Sequence, residues 1–307
     1  MFSTLIWSGE TMEAAGKRWI LHPSRKDVFT VWHLSDLHLG ARACAEDTLR
    51  RDIAAIRDDP HAFWFGGGDM VDLISCNDKR FDPDAVAPWV SVKDLGKLAQ
   101  VGTQRARDFL APIADKGLGM IMGNHELSAQ KHIEADLMGW LTTELGVPNL
   151  GYCAFVDLVF VRTSRAKAGP KLQFTVPPTK DGNGASRWQR RCFLHHGAGF
   201  ATTPGGKLNR LSRFMDSFSA DIYFCGHVHD QLARRQPLIG ADATCTKLVS
   251  SDRVGVVSGS YLRTYAEGDG KGGIHPSYGE QRGYAPVNLG AAKVTIDPER
   301  RLVTAGV

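Results

Sequence analysis

The chain has 307 residues, 43% of them hydrophobic, and a formal charge of +4 from 37 basic and 33 acidic side chains. That balance excludes a disordered or fibrous chain and falls short of the strongly basic composition of a dedicated nucleic-acid binder. The six cysteines, Cys44, Cys76, Cys153, Cys192, Cys225 and Cys245, are widely spaced with no C-x-x-C pair. They argue against a zinc ribbon or a disulfide framework and for reduced thiols in a cytoplasmic protein. The start MFSTLIWSGETMEAAGKRW lacks a basic leader before a long apolar run, and no stretch reaches the roughly 18 apolar residues of a membrane span. Neither secretion nor a membrane partner is expected.

From residue 28 onward, short apolar runs alternate with helical patterns: VFTVWHLS, the helical TLRRDIAAI, AFWFGG, a helix near 93–115, and GLGMIMGN. This rhythm predicts an α/β fold with ligands gathered at the carboxyl ends of the strands. SAQKHIEADLMGWLTTELGV (128–147) reads as one helix with Ser128 at its N-cap, and YCAFVDLVFVRT (152–163) alternates like a strand pair. Then come a strand in RRCFLHH, the loop GAGFATTPGG, a helix in KLNRLSRFMDSFS and a strand in DIYFCGHVHD. VGVVSGSYLR and AAKVTID read as further strands, separated by a Gly- and Tyr-rich stretch, 268–290, that is long enough for a lid or a mobile loop. A single domain over 1–307 is expected, with a motif-bearing core at 28–265 and the loop and terminal strand at 266–307.

Five of these strands end in polar turns that carry metal-ligand chemistry. In HLSDLHLG, Asp36 and His38 are two apart, so strand alternation directs both to one face. FGGGDMVD sets Asp69 after three glycines, with Asp72 three residues on; MIMGNHELS presents Asn124, His125 and Glu126 after Gly123. RCFLHHGAG offers His195 and His196, which alternation sends to opposite faces, so that one ligates and the other packs or orients it. FCGHVHD offers His227 and His229 on a shared face, and neutral imidazole is the commonest ligand of transition metals. Any one of these turns arises often by chance; five in one chain do not.

In this order the blocks resemble the calcineurin-like metallophosphoesterase superfamily, whose signature runs D-x-H, G-D-x-x-D, G-N-H-D/E, a lone H, and G-H-x-H. Here they read DLH, GDMVD, GNHE, HH and GHVH, across residues 36–229. The resemblance implies a four-layer α/β/β/α sandwich and a dinuclear centre. Asp36, His38 and His229 would hold one ion, and Asn124, a histidine of the 195/196 pair and His227 the other, with Asp69 bridging. Comparison with H-H-P-P members favours His195, and with H-G-G members His196; the first is preferred. Two divalent ions, Mn²⁺ first and Fe or Zn²⁺ as alternatives, would clamp a phosphate ester and ready a water for in-line attack. His125 would protonate the leaving oxygen, oriented by Asp72, with Glu126 capping.

The protein Ser/Thr phosphatases of this superfamily carry an arginine directly after G-D-x-x-D, where this chain has Leu73; Arg80 is the candidate substitute for gripping phosphate. A phosphodiester substrate is therefore expected ahead of a phosphomonoester. The alternatives are a DNA nuclease like that of double-strand-break repair, with basic stretches at RWQRR (187–191) and at Lys207, Arg210 and Arg213, and a non-catalytic scaffold of the same fold. Uncharacterised phosphoesterases of phage and prophage genomes are similar in the HHGAG block, the KRFDP segment and the tyrosine-bearing tail.

Overall fold

The computed structural model describes residues 13–74, 81–177, 186–199, 201–265 and 278–306. In chain order its strands are β1 (Glu13–His22), β2 (Phe29–Leu34), β3 (Ala62–Gly66), β4 (Gly117–Met120), β5 (Cys153–Arg162) and β6 (Lys171–Gln173). They continue as β7 (Arg187–His195), β8 (Ile222–Cys225), β9 (Leu232–Ala241), β10 (Leu248–Val257), β11 (Ala292–Asp297) and β12 (Leu302–Gly306). The helices are α1 (Glu46–Asp58), α2 (Leu98–Leu110), α3 (Asn124–Ile133), α4 (Leu137–Leu145), α5 (Pro204–Ser217) and α6 (Tyr278–Arg282). One sheet has the order β6-β1-β5-β7-β8-β10-β9, the other β12-β11-β2-β3-β4.

Alternation along the strands explains the layering. On β2, Phe29 and Val31 face one way and Trp32 and Leu34 lie in a different apolar cluster. The first pair joins Phe65, Phe160, Leu194, Phe224 and Val294 between the two sheets. Trp32, Leu34 and Trp64 instead meet Leu49 and Ile53 of α1, Leu110 of α2 and Leu141 of α4. On the far side, Phe193, Tyr223 and Val257 meet Leu211 and Met215 of α5. The result is four layers, helix, sheet, sheet, helix, and strands buried on both faces read as nearly continuous apolar runs. Each fully buried phenylalanine here contributes about 1.5–3 kcal/mol.

The strand directions place the site. β2, β3 and β4 run parallel, and so do β7, β8 and β10. The carboxyl ends of β2, β3, β4, β7 and β8 carry the five polar turns, which therefore converge where ligands gather in open α/β sheets.

Several sequence expectations need correction. Residues 153–162 are one strand, β5, not a pair, because the run pairs along its whole length with β1 on one side and β7 on the other. The stretch 128–147 is two helices: α3 starts at Asn124, four residues before Ser128, and ends at Glu134, whose φ is 54°. α4 then begins anew from Asp136, whose side chain accepts a hydrogen bond from the Gly139 amide (2.9 Å). The strands β1, β6, β9 and β12 lay outside the sequence reading. Of the Gly- and Tyr-rich stretch, residues 268–277 lie outside the described residues, while 278–282 form α6. Among the described residues Cys44, Cys153, Cys192, Cys225 and Cys245 are free, and no helix is long and apolar enough to cross a membrane.

Candidate metal centre

Strand alternation does not aim Asp36 and His38. β2 ends at Leu34, and both residues lie beyond it with left-handed backbone, φ 54° and 49°. Asp69 (53°), His227 (70°) and His229 (48°) share that conformation. It costs roughly 1–2 kcal/mol for a residue with a Cβ, and such strain persists where the surrounding structure over-determines it. Here the Asp36 amide donates to Gly68 O (2.9 Å), the His38 amide to Asp69 O (3.1 Å), and the Tyr261 amide to Asp36 O (2.9 Å).

The side chains converge in overlapping groups: Asp36, His38 and His229; His38, Asp69 and His125; Asp69, His196 and His227. His229 Nε2 is 3.2 Å from both Asp36 Oδ1 and His38 Nε2. His196 Nε2 is 3.1 Å from both Asp69 Oδ2 and Asn124 Oδ1. Ligand atoms about 2.1 Å from one ion in a tetrahedral or octahedral shell stand about 3.0–3.4 Å apart, so these separations suit divalent ions. Asp36, Asp69 and His196 are almost wholly buried.

Three rings are held by the nitrogen that faces away from the cluster. His196 Nδ1 donates to Gly67 O (2.7 Å), His38 Nδ1 is 3.4 Å from Asp72 Oδ1, and His227 Nε2 donates to Gly199 O (3.0 Å). This is how metal-binding histidines are fixed in tautomer and orientation. His227 is pushed below its ordinary pKa by burial and by His196. It is therefore neutral at pH 7, and with Nε2 protonated its lone pair lies on Nδ1. Burial opposes charge on His196, yet the carboxylates of Asp69 and Asp36 outweigh it and raise its pKa to about 10. His38 likewise rises to about 9, chiefly through Asp72 working against burial. Asp36 and Asp69 are held well below the usual carboxylate range, against burial, with His196 the main opposing charge for both. The cage thus favours positive charge, which divalent ions would supply. Two carboxylates, an amide oxygen and four imidazoles are donors that fit divalent transition ions.

Close approach explains two of the motif glycines. A Cβ on Gly123 would lie 2.1 Å from Asp69 Oδ1, and one on Gly226 2.2 Å from Ser35 Oγ and 2.6 Å from Asp36 Oδ2. Ser35, missed in the sequence, donates from Oγ to Asp36 Oδ2 (2.5 Å), and the His227 amide donates to the same oxygen (2.9 Å). The carbonyls of Gly67 and Gly199 were also missed, since a backbone oxygen leaves no mark in residue type. Glu126 caps: its carboxylate accepts from the amides of Gly123, Asp69 and Met70 at 2.7–2.9 Å, joining α3 to the Asp69 turn.

His125 stands beside His38, their rings edge to face at 4.9 Å. Its Nδ1 accepts from the Leu73 amide (3.3 Å), so the proton of the neutral ring is on Nε2. Asp72 Oδ1 lies nearer His38 Nδ1 (3.4 Å) than His125 Nδ1 (3.8 Å). Asp72, expected to orient His125, stands near both rings and serves His38 at least as closely.

The preference for His195 is also corrected. His195 closes β7 and turns outward, its ring stacked on Phe214 at 4.7 Å with Nδ1 accepting from the Gly197 amide (2.9 Å). His196, one residue on, faces Asp69. Arg80 lies outside the described residues. The basic stretches are largely partnered: Arg191 with Asp157 (2.9 Å), Arg190 with Asp221 (3.8 Å), and buried Lys207 with Asp230 (3.2 Å).

A family model described as calcineurin-like phosphoesterase matches residues 29–231. The chain belongs to the calcineurin-like phosphoesterase family. This family uses divalent metals, and as a calcineurin-like phosphoesterase the chain brings to its centre the D-x-H, G-D, G-N-H, H and G-H-x-H residues that lie within the matched span. No curated protein matches it. Among solved structures, a metallophosphoesterase from Sphaerobacter thermophilus is 13% identical over 90% of this chain and 87% of that one, with a TM-score of 0.36. A conserved uncharacterized protein of Streptococcus pneumoniae TIGR4, described as a predicted phosphoesterase, is also 13% identical, over 88% and 84%, with a TM-score of 0.29.

Proposed function

We propose that this calcineurin-like phosphoesterase hydrolyses phosphodiesters in preference to phosphomonoesters, at a centre that holds two divalent ions, Mn²⁺ first among them, in the cytoplasm. The observation that carries the reading is the set of three rings, His38, His196 and His227, each held through one nitrogen and grouped with a buried carboxylate, Asp36 or Asp69. Asp36, His38 and His229 would take one ion, and Asn124, His196 and His227 the other, with Asp69 between. Bound there, two divalent ions supply Lewis acidity toward the phosphate and a deprotonated nucleophile at neutral pH.

The chain's own groups do the rest. Ser35 and the His227 amide orient Asp36; the His125 amide, which donates to Asp69 Oδ1 (2.8 Å), and Glu126 fix the Asp69 turn. The Leu73 amide keeps the His125 proton on Nε2, from which it can pass to the leaving oxygen. Leu73 itself supports the preference for diesters, since no cation follows Asp72 to neutralise the second charge of a monoester. The test is a hydrolysis panel with added Mn²⁺: p-nitrophenyl phosphate, bis-p-nitrophenyl phosphate, cyclic nucleotides, and single- and double-stranded DNA. Faster turnover of the monoester than of every diester overturns the preference.

A further inference from the structure

The helix α5 lies on the outer face of the seven-stranded sheet, yet one line along it touches two of the segments that build the centre, those after β7 and β8. Lys207, Arg210 and Phe214 follow at helical spacing, which puts them on one stripe. Lys207, 8% exposed, binds Asp230 Oδ2 at 3.2 Å, and Asp230 directly follows His229. The guanidinium of Arg210 lies against Gly199, 2.6 Å from where a Cβ would stand, and Gly199 O is the acceptor that fixes His227. Phe214 stacks on His195, the residue before His196, with ring centroids 4.7 Å apart and 28° between planes. Thr203 caps the helix by accepting from the Gly206 amide (3.2 Å), and Leu211 and Met215 seat it on Phe193, Tyr223 and Val257.

These contacts are unevenly distributed. Asp36 and His38 are tied to the β3 turn by backbone bonds and through Asp72, and of their group only His229 has a link to α5. His196 and His227 are both approached from α5, one through His195 and Phe214, the other through Gly199 and Arg210. An ion pair as buried as Lys207–Asp230 contributes little net stability, because desolvation offsets its attraction; its value lies in fixing one arrangement. The basic residues of this segment that resemble a nucleic-acid strip are, at Lys207 and Arg210, turned toward the protein's own loops.

We infer that Arg210 and Phe214 on this stripe of α5 position the second ligand group, so that the helix sets how tightly the second of the two ions is held. The inference rests on the two-ion reading above. These two residues act through Gly199 and His195 and touch neither substrate nor ion.

The experiment loads the full chain with Mn²⁺, dialyses it against a stepped chelator series, and reads ions per chain by elemental analysis beside the far-UV spectrum. Wild type should release its ions in two steps. Arg210→Gln and Phe214→Leu should each shift one and the same step by roughly 10–100-fold in free metal, the usual effect of losing a group that orients a ligand, and leave the other in place. Lys207→Met, whose partner Asp230 follows His229 of the first group, should leave that step where it is. Wild-type release from folded Arg210→Gln and Phe214→Leu, or an equal shift of both steps, overturns the inference and leaves the two-ion reading standing. A wild type that binds one ion overturns both.

Discussion

The two ligand groups are built in different ways. Asp36 and His38 come from a single turn after β2, cross-linked to the β3 turn by three backbone hydrogen bonds, from Asp36, His38 and Leu39 to Gly68, Asp69 and Met70. The second group draws Asp69, Asn124, His196 and His227 from four separate turns after β3, β4, β7 and β8, and two of its rings are held by carbonyls of other loops, Gly67 and Gly199. Two of the first group's three side chains come from one short stretch of chain, with His229 joining them from the other sheet; every member of the second group comes from a different turn. Ligand identity is therefore easier to read in the first, and sensitivity to distant substitution should be greater in the second.

The largest expected effect tests the boundary of the second group. His196→Ala should lose one ion per chain and nearly all turnover, while His195→Ala should keep both ions at saturating Mn²⁺, with only the looser second ion expected from a lost Phe214 stack and about 1 kcal/mol less stability. Ion content by elemental analysis and thermal melts decide it, and equal ion loss in two folded variants contradicts the assignment. Next is His125, which sits between the groups. His125→Ala should keep both ions and slow an alkyl-leaving-group diester by roughly 10²–10⁴-fold, and bis-p-nitrophenyl phosphate much less, because p-nitrophenolate needs little help from a proton. A uniform slowing, or a lost ion, would make His125 a ligand or a phosphate binder.

Asp72→Asn sharpens the first group. Because Asp72 lies closer to His38 than to His125, the substitution should weaken the ion on Asp36, His38 and His229 by roughly 10–100-fold, measured by metal titration. An unchanged affinity with slowed turnover would place the role of Asp72 on His125 rather than on His38. The smallest effect concerns His33, which lies between the sheets below both groups. Among the described residues neither ring nitrogen has a hydrogen-bond partner, and burial, helped by His196 and opposed by Asp36, lowers its pKa to about 3. Its folded value lies below the unfolded value of about 6.5, so the unfolded chain takes the proton first. Stability then falls as pH drops from about 6.5 toward 3, by about 1.4 kcal/mol per unit. His33→Leu should flatten that slope in denaturant melts, and identical slopes would show that the ring is not the group responsible.

The same contrast explains what the sequence conveyed. The apolar runs ending in DLH, GDMVD, GNHE and GHVH carried the layered fold and the family, because strand ends in an α/β sheet are where such turns must lie. The HH block was legible only as a pair: alternation correctly opposed His195 and His196, but the face that meets Asp69 depends on how β7 sits between β5 and β8. The aim of Asp36 and His38 was attributed to strand period, whereas left-handed backbone does it, and no residue pattern of Asp and His announces a positive φ. β1 escaped notice because Gly16 and a register shift break its pattern between Ala14 and Lys17, and β9 because LARRQPLIGA is an edge strand whose apolar residues do not alternate with polar ones.

The sheet order also bears on how the protein is made. β2, from which Asp36 and His38 issue, pairs with β3 on one side and with β11 on the other, His33 opposite Ala292. Ser258 ties the same strand from above, its hydroxyl donating to His33 O and accepting from the Ala292 amide. During synthesis β2 therefore keeps an open edge from its own emergence until residues 292–297 leave the ribosome, about 15–50 s at ordinary elongation rates. Pairing across such a sequence distance is slow in itself. For that interval β2 has its β3 neighbour but lacks β11, so the strand that leads into Asp36 and His38 is completed late.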